Sequence, residues 1–241
     1  GMLLRTLAWK ALQPYAFDEL ANAFKDEAVV LPRYWIGATM PEASAVEFWL
    51  RLTNPASPQV EWVVPTALGV SAEEAQTFLM PLGGGRPQRV GDMLVAGRWF
   101  TPQDLNVCIL PANVASVLGI TEDQVNQPDD AKPRIVASSL EWMVCGIVRD
   151  ELFQMQDLDG EEFAPLDRKA AAQPGTETQT TAVLAGETLE AKPQKGVHVT
   201  AKQTILLPYQ TVQNLGGQLF TVAMVFEKDS GFGVELVKDL I

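Results

Sequence analysis

The chain has 241 residues, with 30 acidic against 18 basic side chains and a net charge of −12. That sign repels phosphate backbones and anionic membrane surfaces, and so argues against a nucleic-acid partner. A hydrophobic content of 47% allows a sizeable core, while one histidine (His198) and two cysteines (Cys108, Cys145) are too few for most histidine-based catalysis, a zinc knuckle or a disulfide scaffold.

Gly1-Met2 reads as an expression scar, and the residues after it lack the basic stretch and cleavage site of a signal peptide. Leu3 to Leu12 alternates loosely as a strand, with Trp9 on the more apolar parity. Phe17, Leu20, Ala21 and Phe24 then recur at helical spacing and predict a short amphipathic helix after Pro14. "AVVLPRYWIG" and "AVEFWLRL" read as strands, "NPASP" as a turn, and "QVEWVVPTALGV" as one further strand. Ser71 to Glu74 has the pattern of a capping box, which predicts a helix running to about Met80. "PLGGGRP" reads as a connector, since three glycines loosen the backbone and the prolines stop regular structure.

Beyond it, Thr101-Pro102-Gln103-Asp104 looks like a helix start with Thr101 as its cap. "NVCILP" predicts a buried strand, "ANVASVLGI" a helix closed by Gly119, and "LEWMVCGIVRD" another strand. From about Asp157 to Thr204 the chain turns polar, with Pro, Gly, Thr and charge and little periodicity. It reads as an extended excursion. "TILLPY", "LFTVAMVF" and a last amphipathic helix (Val234, Val237, Leu240, Ile241) close the chain, and no internal repeat is apparent. The longest uncharged run, between Lys202 and Glu227, is broken by Pro208, Gln210, Gln213, Asn214, Gly216 and Gly217, and so does not span a bilayer as one helix.

Few residues suggest chemistry. Cys108 sits among Val107, Ile109 and Leu110, with no cation or histidine beside it in sequence and no glycines of a nucleophile elbow. A buried inert thiol is the leading reading, ahead of a disulfide to Cys145 and of catalysis. His198 in "GVHVT" reads as an outward polar position on a strand. Asp157, Asp159, Glu161 and Glu162 have the flavour of a calcium loop without its remaining ligand spacing, so a solvated loop is the better reading.

The order of the segments says more than any single residue. "VGDMLVAGRWFTPQDLNVCILPANVASVLGI", "EWMVCGIVRDE", "TILLPYQTV" and "LFTVAMVFEKD" follow one another in a way that resembles the extracytoplasmic domain of MacB/FtsX-type ABC transporter permeases. The family's G-x-x-F and following acidic residue match Gly97, Phe100 and Asp104. Its A-x-x-LG helix ending matches Ala115, Leu118 and Gly119. Its V-x-G-I-V strand matches Val144, Gly146, Ile147 and Val148, and its I-x-x-P-Y segment matches Ile205, Pro208 and Tyr209. The resemblance covers most of residues 88 to 226 and, more weakly, "FDELANAFKDEAVVLPRYW". "AKPRIVASSLEW" departs from it, having no glycine to open the strand.

Together with the glycine-proline boundary, the resemblance implies an α+β fold with two subdomains. One is a discontinuous porter-like α/β part, residues 1–82 plus 212–241. The other is a mainly β insertion, residues 83–211, carrying the polar excursion at about 157–204. The implied domain is non-catalytic, needs no cofactor and lies on the extracytoplasmic side of the cytoplasmic membrane. Its implied partners are the transporter's transmembrane helices, an ATP-binding subunit or domain and a second permease protomer, with a peptide or lipoprotein as substrate. ATP-driven motion would then expel, extract or hand over that substrate. The rival readings are a freestanding extracytoplasmic binding module for a peptide or lipoprotein, with Gly83–Gly85 as a hinge between two lobes, and a hydrolase using Cys108 or a carboxylate pair. A working surface of exposed apolar side chains is expected on edges and loops, with Phe153, Met155 and Phe163 as candidates for a projecting tip and their packing onto the core as the leading reading.

Overall fold

The structure, a computed structural model, describes residues 2–4, 11–37, 50–81, 86–137, 139–156, 162–167 and 197–226. The polar excursion between 168 and 196, the glycines Gly83–Gly85, the last amphipathic helix and most of the acidic loop lie outside the described residues.

Runs of β-branched and aromatic residues form the strands, as their fit to a pleated surface requires. In chain order the elements are β1 (Met2–Leu4), α1 (Pro14–Ala23), β2 (Ala28–Gly37), β3 (Leu50–Asn54), β4 (Ser57–Val64), β5 (Thr66–Val70) and α2 (Glu74–Thr77). The chain continues through β6 (Leu79–Pro81), β7 (Pro87–Arg89), a 3-10 turn at Val90–Met93, β8 (Leu94–Gly97), β9 (Val107–Pro111), α3 (Ala112–Val117) and α4 (Glu122–Val125). After β10 (Arg134–Ala137) and β11 (Leu140–Val148) come 3-10 turns at Asp150–Gln154 and Ala201–Gln203, then β12 (Thr204–Pro208), α5 (Tyr209–Asn214) and β13 (Gln218–Phe226). The fold is therefore α+β, a mixed sheet with few and short helices. No helix among the described residues is long and apolar enough to cross a membrane.

One sheet organises the molecule, in the order β1-β13-β2-β5-β12-β9-β11-β10-β3-β4, with β8 also paired to β11. β6 and β7 pair separately as a small antiparallel hairpin. Side chains alternate across the large sheet, and the alternation divides the core in two. Val107, Ile109, Leu206, Leu68 and Phe220 belong to one buried cluster, and Cys108, Leu110, Ile205, Leu207 and Val222 to the other. The second face is covered by helices, through Val114, Ala115 and Leu118 of α3 and its C-terminus, Val212 of α5, and Phe17 and Leu20 of α1. The first face is covered by irregular chain: Phe78, Val90, Met93, Leu152, Phe153, Phe163 and Leu166.

A strand-helix unit occurs twice, contrary to the expectation of no internal repeat. "VCILPANVASVLG" and "TILLPYQTVQNLG" each give a fully buried five-residue strand, a Pro N-cap (Pro111, Pro208), a six-residue helix and a Leu C-cap. Each then turns on a glycine, Gly119 at φ 67° and Gly216 at φ 90°, the left-handed region where a Cβ is costly. β9 and β12 are antiparallel neighbours that meet at Ile109 and Leu206, the third residue of each. Outward from that pair, β9 runs parallel to β11 and β12 parallel to β5. A local two-fold relation thus passes between the two units. The sequences share little beyond Pro, Leu-Gly and apolar character, which hid the repeat.

Other expectations are corrected by particular contacts. "QVEWVVPTALGV" is two strands, because Pro65 separates β4 from β5. Thr101–Asp104 is a single turn: the Asp104 carboxylate accepts from the Thr101 amide at 2.7 Å, and the Asp104 amide donates to the Thr101 carbonyl at 3.1 Å. The predicted helix to Met80 ends at Thr77, and Leu79 already begins β6. The glycine-rich stretch joins strands that pair with each other, Met80 opposite Gln88. β13 pairs with both β1 and β2, so "LFTVAMVF" joins the sheet of the first 80 residues.

Candidate functional site

Phe153, Met155 and Phe163, the candidates for a projecting tip, pack onto the core and are at most 1% exposed. The chain after β11 folds back over the sheet: the Phe163 amide donates to the Met155 carbonyl at 2.7 Å, and the Ala164 amide to the Phe153 carbonyl at 3.2 Å. Large apolar side chains next to a sheet face gain more by burial than by projection. The Phe153 and Phe163 rings meet edge to face, with centroids 6.3 Å apart.

What these rings enclose is a charge. Arg33 lies in the middle of β2 and is 1% exposed. Its guanidinium carbon sits 4.1 Å from the Phe163 ring centroid and 4.8 Å from that of Phe78. Its Nε donates to Glu74 Oε1 at 2.7 Å, and a second guanidinium nitrogen donates to the same oxygen. Glu74 is itself fully buried, and its Oε2 has no hydrogen-bond partner. Removal from water pushes this carboxyl up from its ordinary value, with Arg33 and, to a smaller extent, the Ser71 amide pulling the other way. Of the Ser71–Glu74 box expected at the start of α2 only one half is present: the Glu74 carboxylate, while turned inward to Arg33, interacts with the Ser71 amide, and the Ser71 hydroxyl is buried without a partner. The lone charge in "AVVLPRYWIG" was the available signal, since an arginine on a buried strand needs a partner. Nothing in the sequence pointed to Glu74, 41 residues away.

A second arginine gives physical content to the sequence motif that begins at Gly97. Gly97 has φ 75°, and a Cβ there would lie 2.1 Å from the Cys145 carbonyl oxygen. Only glycine lets β8 approach β11 so closely, with Gly97 paired opposite Gly146. The next residue, Arg98, donates to Asp104 Oδ2 at 2.6 Å and to Asp129 Oδ2 at 2.8 Å, and the Gly97 amide donates to Asn126 Oδ1 at 2.8 Å. Burial pushes Asp104 upward, but the bonds from Arg98 and Thr101 outweigh it and leave the carboxyl below its ordinary value. Asp129 is held low mainly by its bond from Arg98, and Arg98 is raised by Asp104 and Asp129. Phe100 is buried beside this corner, with Trp99 against it.

Cys108 and Cys145 are both buried and free. They are neighbours on adjacent strands but belong to opposite faces of the sheet. The Cys145 thiol donates to the Cys108 carbonyl at 3.3 Å. Burial pushes Cys145 up to about 12 and Cys108 well above its ordinary value, the reverse of what a nucleophilic thiolate needs. His198 is partly buried, with Nδ1 2.6 Å from the Ala164 carbonyl oxygen. Among the described residues no three His, Cys, Asp or Glu side chains are grouped to hold a metal. Of the acidic loop only Glu162 is described, and it bridges to Gln156.

A shallow open groove of about 370 Å³ runs between the β3–β4 turn and β10, lined by Asn54, Ala56, Gln124, Lys132, Arg134 and Glu141. Both of its cations are engaged, Lys132 with the Val125 carbonyl and Arg134 with Glu141 at 3.1 Å.

No family model matches the chain, and no curated protein matches it. Among solved structures, it is similar to the periplasmic region of MacB from Actinobacillus actinomycetemcomitans, at 13% identity and a TM-score of 0.49, over 96% of this chain and 75% of that one. It is also similar to the extracellular domain of the ABC-type transporter YknZ from Gram-positive bacteria, at 10% identity and a TM-score of 0.47, over 99% of this chain and 92% of that one.

Proposed function

We propose that the chain is the extracytoplasmic domain of a MacB/FtsX-type ABC transporter permease, non-catalytic, coupling ATP-driven motion to export or extraction of a substrate outside the membrane. The observation that carries this reading is the ordered set of motif residues, each of which has a definite structural task. Gly97 and Gly146 let two strands close on each other, Asp104 fastens Arg98, Phe100 and Leu118 fill the core, Gly119 ends α3, and Pro208-Tyr209 begins α5. The buried, high-pKa thiols and the engaged arginines favour a mechanical role over a chemical one. Residues 1–82 with 212–241 form the porter-like part and 83–211 the insertion. The partners are transmembrane helices, an ATP-binding subunit and a second protomer, and the substrate is a peptide or lipoprotein.

The test uses the native, full-length protein in cells. Protease added outside intact spheroplasts should cleave this domain while an ATP-binding partner remains protected, and the two should co-purify from detergent. Release of the domain as a free soluble protein would overturn the reading in favour of a freestanding binding module.

A further inference from the structure

The sheet order places the strands of the proposed insertion in an unexpected position. β12, β9, β11 and β10 lie side by side as a block, and each outer edge of that block is paired to a strand from the first 82 residues. On one side β12 runs parallel to β5 in a five-pair ladder from Thr66–Thr204 to Val70–Pro208. On the other, β10 is antiparallel to β3, with Val136 opposite Thr53 and Ala137 opposite Leu52. A lobe that swings on a connector keeps at least one free edge. This block has neither edge free among the described strands.

Three side-chain bonds and one backbone bond close the same seam on both faces of the sheet. Asn54 Nδ2 donates to the Leu118 carbonyl at 2.9 Å, and Trp62 Nε1 to the Lys202 carbonyl at 2.9 Å. Trp99 Nε1 donates to the Ser71 carbonyl at 3.2 Å, and the Val90 amide to the Phe78 carbonyl at 3.1 Å. At the centre, Arg33 and Glu74 belong to the first region, while Phe163, stacked on the guanidinium, belongs to the second.

We infer that the two regions form one mechanical unit, zipped at both edges of the inserted block, with the Arg33–Glu74–Phe163 cage as its central fastening. The strands flanking the glycine-rich stretch, β6 and β7, pair with each other, which argues against two lobes on a free connector. Opening the seam requires the breaking of two β ladders and the exposure of a buried ion pair, so the domain moves as a rigid body and opens only as a whole. This inference is independent of the transporter reading, because it concerns the isolated chain.

Native-state hydrogen exchange on the chain tests it. Central amides of β2 and β5 and those of β9 and β11 should open with protection equal to within about threefold, as members of one cooperative unit. Arg33→Met should lower protection by the same factor in both groups. Asn54→Ala, a milder change at one edge, should do likewise if Arg33→Met fails to fold. Protection of one group falling about tenfold below the other, in the native chain or in either variant, would overturn the inference.

Discussion

Arg33 and Arg98 both anchor strands of the same sheet, yet one is enclosed on every side and the other keeps 31% of its side chain in water. Arg33 meets one carboxylate between two phenylalanine rings and gives both of its bonds to a single oxygen. Arg98 meets two carboxylates and a backbone carbonyl in open geometry. The first arrangement costs two full desolvations and returns one ion pair, and so contributes little net stability while being costly to break. The second keeps its water, and its worth is the sum of ordinary charged hydrogen bonds. The lesson is that the buried pair specifies the packing of Phe78 and Phe163, whereas the open cluster fastens a turn.

Breaking the buried pair should have the largest effect. Arg33→Met strands Glu74 without a counter-charge and should cost about 3–5 kcal/mol at pH 7 by denaturant unfolding. The double variant Arg33→Met/Glu74→Leu should recover most of that, since similar volumes of apolar side chain replace both charges. In Arg33→Met the carboxyl, already pushed up by burial, loses the one cation that pulled it down. A raised folded value means that the folded state binds the proton more readily. The deficit of the variant should therefore be smallest below about pH 4 and grow as pH rises through the folded value. A deficit independent of pH, or a double variant as unstable as the single, would show that Glu74 is not held as described.

The open cluster should respond over a lower pH range. Asp104 and Asp129 are both held below their ordinary values, so the stability they contribute is present above about pH 4 and is lost as pH falls through their folded values. Asp104→Asn should cost about 1–2 kcal/mol at pH 7, because it removes charged bonds to Arg98 and weakens the cap on the Thr101 amide. The deficit of the same substitution should shrink as pH falls through the lowered folded value of the Asp104 carboxyl. The two arginine sites thus separate in a single pH series by their windows, the Arg33→Met deficit changing above the ordinary carboxyl range and the Asp104→Asn deficit below it.

How much of this was legible in the sequence differs in the same way. Strands such as "NVCILP" and "TILLPY" carry their period and their prolines in five or six residues, and β9 and β12 stand where local patterning places them. The likeness to the transporter family rested on glycines whose purpose is local backbone geometry, at Gly97 and Gly119. Long-range pairing left no such mark. Glu74 looked like a cap because Ser71 stands three residues before it, and only the folded chain shows Arg33 claiming its carboxylate. Phe153 and Phe163 were candidates for exposure because polar chain follows them. Their neighbours are decided by a reversal of direction after Asp150 that local composition does not encode.

The smallest effect belongs to a third arginine, which extends the comparison to its solvent limit. Arg51 on β3 and Glu61 on β4 form a pair at 3.1 Å, with side chains 68% and 38% exposed. They face water on the outer side of the sheet, next to Thr53 and Val63 in the cross-strand register. Both ions keep most of their hydration, so little desolvation is at stake, and the attraction is screened over about 8 Å at physiological salt. Holding two long side chains in one geometry also costs rotamer freedom, which offsets most of what remains. Arg51→Ala should therefore change stability by no more than about 0.5 kcal/mol at pH 7. Raising salt to about 1 M should erase even that difference, while leaving the deficit of Arg33→Met essentially unchanged because no counterion reaches the buried site. A salt-sensitive deficit at Arg33, measured in the same unfolding series, would mean that water enters the cage, and the contrast between the three arginines would then be one of degree only.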